Sequence, residues 1–87
     1  MDKKKIEEIV TKVVAYLETL PLGTEISTWQ ATKEGYGIKD LEDCDFFGID
    51  KQVRVAAKKV GLKLDSSKYN NCEVGLPFNI PFVIRKK

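Results

Sequence analysis

The sequence predicts an α+β domain of three helices and a small antiparallel β-sheet, with residues 1–87 forming one unit. Three observations lead there. Apolar residues recur with helical periodicity in two segments on either side of a Ser-x-x-Gln capping box, the period turns strand-like after Gly61, and a second strand-like run, Phe82 to Arg85, follows near the end. At 43% hydrophobic and 32% charged, the 87 residues have the balance of a globular chain. A chain of this size keeps roughly 5,200 Å² of roughly 14,400 Å² exposed after folding, enough burial for one modest core.

Ile6, Ile9, Val10, Val13, Val14, Leu17 and Leu20 fall within an arc of roughly 140°, so the first segment is a helix with one buried face, bordered by Tyr16. Asp2 is placed to cap its start. Pro21 and Gly23 end it, because proline cannot continue the hydrogen-bond ladder and glycine tolerates left-handed angles. Thr24 to Ile26 is a short extended run. Ser27 and Gln30 then form a Ser-x-x-Gln capping box. A second helix is expected over about residues 28–34, ending at Gly35 or Gly37, with Trp29 as its main buried anchor. Residues 36–44 read as an acidic connection.

Phe46, Ile49, Val53, Ala56, Ala57 and Val60 lie within roughly 100° of one another, which predicts a third helix over about residues 45–60 with Gly61 as its stop. Gly48 weakens the first turn by roughly 1 kcal/mol relative to alanine, and Asp50 as N-cap is an alternative start. Val13, Leu17, Trp29, Val53 and Val60 are expected in the core. Helical spacing sets Phe47 beside Lys51, Arg54 and Lys58, yet packing of its ring on the second helix is the expected outcome. Leu62 and Leu64 alternate with Lys63 and Asp65 as a half-buried strand does, and Pro81 delays the start of the partner strand. Between the two, Ser66 to Ile80 reads as a long hairpin loop, pinned by Leu76 and Phe78.

Charge is unevenly distributed. Residues 21–50 hold two lysines against seven acids, whereas in residues 51–68 Lys51, Arg54, Lys58, Lys59, Lys63 and Lys68 oppose Asp65 alone. On the third helix, Lys51, Arg54 and Lys58 lie within roughly 60° of each other, opposite the apolar face. Such a stripe suits phosphate neutralisation; a solvated helix face, or pairing with the acidic segment, accounts for it equally well.

Other chemistry finds little footing. The chain has no His, so no serine nucleophile gains its usual base and no zinc site forms; no enzyme activity is expected. The acids Asp40, Glu42, Asp43 and Asp45 fail the calcium-loop template, which puts Phe47 where an oxygen ligand belongs. No metal or other cofactor is expected. Cys44 and Cys72 are 28 positions apart, match no ligand or redox spacing, and read as small packing residues. The N-terminal lysines precede a segment broken by Glu7, Glu8, Thr11 and Lys12, so neither an export signal nor a membrane span is expected, and the thiols are expected reduced in a cytoplasm.

The order helix, short strand, helix, helix, strand, long loop, strand resembles the winged helix-turn-helix domains from Ile6 to Arg85. The stretch Gly75-Leu76-Pro77-Phe78-Asn79 is also similar to one in short uncharacterised bacterial proteins, which implies no activity. The winged-helix resemblance implies a transcriptional or phage-like regulator that lays its third helix in the DNA major groove, with the loop as wing. On that reading Lys51, Arg54, Lys58, Lys59, Lys63 and Lys68 contact DNA. Arg54 is a candidate reader of guanine, and Val55 of a thymine methyl. Two features depart from it: Lys68 is the only basic residue from Ser66 to Asn79, and the connection before the third helix is acidic. Winged helices also serve as protein-binding modules, so a protein partner without nucleic-acid affinity is the alternative.

Overall fold

The computed structural model describes residues 3–39, 41–66 and 77–86. They form α1 (Lys3–Thr19), β1 (Glu25–Ile26), α2 (Thr28–Gly35), α3 (Asp43–Lys59), β2 (Leu62–Asp65), a 3-10 turn (Pro77–Asn79) and β3 (Phe82–Lys86). This is an α+β architecture of three helices and one antiparallel sheet, consistent with a winged-helix layout. Asp2, Asp40, Lys68, Cys72, Leu76 and Lys87, together with the rest of residues 67–76, lie outside the described residues.

The apolar arc of α1 becomes its buried face: Ile9, Val10, Val13, Val14 and Leu17. Gly23, at φ +93°, turns the chain directly into the sheet, donating its N–H to the Ile84 carbonyl at 2.7 Å. The last strand in sequence is central in space, since the sheet order is β1-β3-β2. Ile26 pairs with Phe82, and Leu64 with Ile84. Because paired residues share a face, these four side chains look toward the helices, and Glu25, Val83 and Asp65 line the other side. The core joins Ile9, Val13 and Leu17 of α1 to Ile49 and Val53 of α3 and to Phe82 and Ile84.

Ser27 caps α2 as its sequence signature predicts, accepting the Gln30 N–H at 3.2 Å. Its buried face differs from the expectation. Thr28, Ala31 and Thr32 are buried, while Trp29 is only partly so, its ring lying 5.3 Å from Lys33 Nζ. Short side chains bring α2 close to its neighbours, and both threonine hydroxyls are satisfied: Thr28 donates to Asp50 Oδ1 at 2.6 Å, Thr32 to the Thr28 carbonyl at 2.8 Å. At the end of α2, a Cβ on Gly35 would lie 2.9 Å from Tyr16 Cβ, so glycine permits the helices to meet there. Tyr16 Oη donates to Glu34 Oε2 at 2.5 Å, and Tyr36 carries Lys5 and Lys12 over its ring at 5.2 and 5.4 Å.

Helix α3 starts at Asp43, earlier than expected, because the Asp45 carboxylate accepts the Glu42 N–H at 3.0 Å. Its first turn is therefore helical, and Phe47 is not the core residue expected: it is 46% exposed, its ring nearly perpendicular to that of Phe78 at 5.3 Å. Phe78 itself is buried, stacked on Phe46 at 5.2 Å, so the 3-10 turn folds onto α2 and α3. Burial on this scale is worth about 1.5–3 kcal/mol per large side chain. Val60 is a correction. It shares the Val53 side of the helical wheel but lies past the last helical residue, 48% exposed, beside an open groove with Val10, Val14 and Ala15. Cys44 is another: it is exposed on the first turn of α3, its Sγ 3.9 Å from Glu42 Oε2, and fills no core space.

Candidate nucleic-acid interface

Packing of α3 against α1, α2 and β2 leaves its remaining face outward. Lys51, Val55, Lys58 and Lys59 are exposed there, Val55 by 51%. Lys63 is exposed on the adjacent edge strand β2. Five of the expected contact residues are thus gathered along α3 and its border with β2. Two hollows flank the ridge. One, of about 380 Å³, runs along the α1 side and is lined by Val10, Lys51, Gln52, Val55, Ala56 and Lys59. The other, of about 250 Å³, lies toward the sheet and is lined by Arg54, Lys58, Lys63 and Leu64.

Arg54 occupies a different position from its neighbours. Its Nε lies 3.3 Å from both Asp50 carboxylate oxygens, and its Cζ lies 5.6 Å from the centre of the Phe82 ring. The side chain is 30% exposed and that of Asp50 only 11%. Asp50 in turn accepts the Thr28 hydroxyl, so hydrogen bonds link α2 to the middle of α3, and the guanidinium extends the contact to the Phe82 ring at the start of β3. The Nε edge of the guanidinium is engaged by Asp50, and the two Nη groups are its remaining donors. Sequence reasoning missed this link. The signal was present as the i, i+4 spacing of Asp50 and Arg54, the helix spacing at which opposite charges meet.

Around this face, Arg85 reaches Asp65 at 2.9 Å, so it is paired within the sheet, while Lys86 is exposed. Among the described residues, the groups with shifted protonation lie elsewhere. The Tyr16 phenol is pushed up by its hydrogen bond to Glu34, and the Lys5 ammonium by its bond to Tyr36. Both belong to the contact between α1 and the end of α2. Among the described residues no group of three His, Cys, Asp or Glu side chains is placed to hold a metal, and no helix is long and apolar enough to cross a membrane. Compared with protein-family models, curated proteins and solved structures, the chain matches none.

Proposed function

We propose that this chain is a DNA-binding domain of winged helix-turn-helix type, with a role in transcriptional or phage-like regulation, and that it lays α3 in the major groove. The observation that carries the reading is the outward face of α3, where Lys51, Lys58 and Lys59 stand exposed around Val55, with Lys63 beside them. Seventeen helical residues span about 25 Å, and a groove about 12 Å wide admits a helix of that kind. Lysines on such a face neutralise phosphates, which supplies affinity without sequence preference. Base preference then falls to Val55, whose apolar tip suits a thymine methyl, more than to Arg54, whose Nε is held by Asp50.

Nitrogen-15-edited spectra recorded with a short duplex test the proposal. Amide shifts concentrated on Lys51, Val55, Lys58 and Lys59 are the expected result, and an unchanged spectrum at low salt refutes it. A second reading, a protein-interaction module without nucleic-acid affinity, is favoured by the apolar groove between α1 and α3, where Val55 and Val60 are about half exposed next to Val10 and Ala56.

A further inference from the structure

We infer that the hollow between α3 and β2 is a phosphate subsite that takes one phosphodiester of the DNA backbone, with Arg54 as a pre-set clamp and not as a base reader; this rests on the DNA-binding reading above. Among the described residues, three cations (Arg54, Lys58, Lys63) and Leu64 line the hollow. Asp50, the carboxylate that holds Arg54, also accepts from Thr28. Its contact with Arg54 fixes the guanidinium instead of leaving it to sample rotamers, and the Phe82 ring supports the cation. A fork held in this way loses little freedom when it grips an anion, and its two Nη groups match the oxygen spacing of a phosphate.

Size and position fit the same ligand. At about 30 Å³ per water, a hollow of about 250 Å³ accommodates a phosphate group with several waters. Lys58 belongs both to this hollow and to the outward face of α3, so a backbone that follows the helix passes from one to the other. An extended polyanion engages both places, whereas a free phosphate ion engages the hollow alone.

The test combines salt dependence with three substitutions in the full chain. Log affinity for a labelled duplex against log salt falls by about 0.9 per neutralised phosphate. Lys63→Gln, at an exposed position, is expected to flatten the slope by about that amount. Arg54→Lys keeps the charge and loses the fork, so the slope stays and affinity drops several-fold. Lys12→Gln, which removes a cation seated over Tyr36, leaves both unchanged. Inorganic phosphate without duplex is expected to shift the Lys63 and Leu64 amides first. Duplex binding with the same slope in Lys63→Gln and Lys12→Gln overturns the subsite and leaves the α3 reading standing. Phosphate shifts spread evenly over all surface lysines overturn it as well. Absence of duplex binding by the unaltered chain overturns the α3 reading and the subsite together.

Discussion

Replacing Asp50 by alanine removes a carboxylate that two elements depend on. Thr28, fully buried, loses the acceptor of its hydroxyl proton, and an unsatisfied buried donor costs about 1–3 kcal/mol. Arg54 loses its partner at the same time. With 30% of its side chain exposed, it recovers part of its hydration, so its share falls below the 3–5 kcal/mol of a fully buried broken pair. The combined cost is about 2–4 kcal/mol, out of about 4–13 kcal/mol expected for a chain of this length. Urea unfolding followed by circular dichroism reads it directly. With a slope of about 1 kcal/mol per molar, the midpoint drops by about 2–4 M. Asp50→Asn keeps an acceptor for Thr28 and gives up only the charge, so it costs about half as much. Adding Arg54→Met to Asp50→Ala regains stability, because the stranded cation is gone. An Asp50→Ala midpoint within error of the unaltered protein would refute the linkage between α2 and α3.

The remaining predictions concern packing and protonation. Gly35→Ala destabilises by about 1–3 kcal/mol, against the gain of about 1 kcal/mol that alanine brings to an open helix site, because its Cβ would sit 2.9 Å from Tyr16 Cβ; a raised melting temperature contradicts the helix approach. Val53→Ala costs about 1–3 kcal/mol while Val60→Ala stays within about 0.5 kcal/mol, since the first is fully buried and the second 48% exposed; equal midpoints contradict the orientation of α3. Tyr16 and Lys5 both have their pKa raised by folding, so the stability they contribute is present below the unfolded values and is lost as pH rises through the folded ones. Unfolding titrations above about pH 10 should show this decline, and Tyr16→Phe should make it shallower.

Much of this fold was legible because its signals are local. Two apolar periods located α1 and α3 and framed α2, and Ser27 with Gln30 marked the start of α2 to the residue. The change of period after Gly61, which takes φ +85°, located β2 and the pairing of β2 with β3. What escaped the sequence depends on contacts far apart in the chain. Trp29 is the largest side chain of α2, yet Thr28 and Thr32 enter the core, since Asp50, 22 residues away from Thr28, satisfies a hydroxyl that would otherwise keep its residue at the surface. Val60 has the right angle on the wheel but lies past the last residue of α3, where the groove it shares with Val10 and Val14 of α1 stays open and leaves it 48% exposed. At the candidate interface the lysines were legible as a charge stripe, while the diversion of Arg54 required knowing that Asp50 is buried beside it and that Phe82 lies against it.

The most direct test is the salt dependence of duplex binding by fluorescence anisotropy, comparing the unaltered chain with a Lys51→Gln, Lys58→Gln double variant. With about four phosphates neutralised by Lys51, Lys58, Lys59 and Lys63, the log–log slope is expected near −3 to −4, so affinity falls about 100-fold between about 50 and 200 mM salt. The double variant should flatten the slope by nearly two units and bind all sequences more weakly. A chain that binds no duplex near 50 mM salt, or whose binding is indifferent to both substitutions, contradicts the assignment of α3 as a DNA-binding helix.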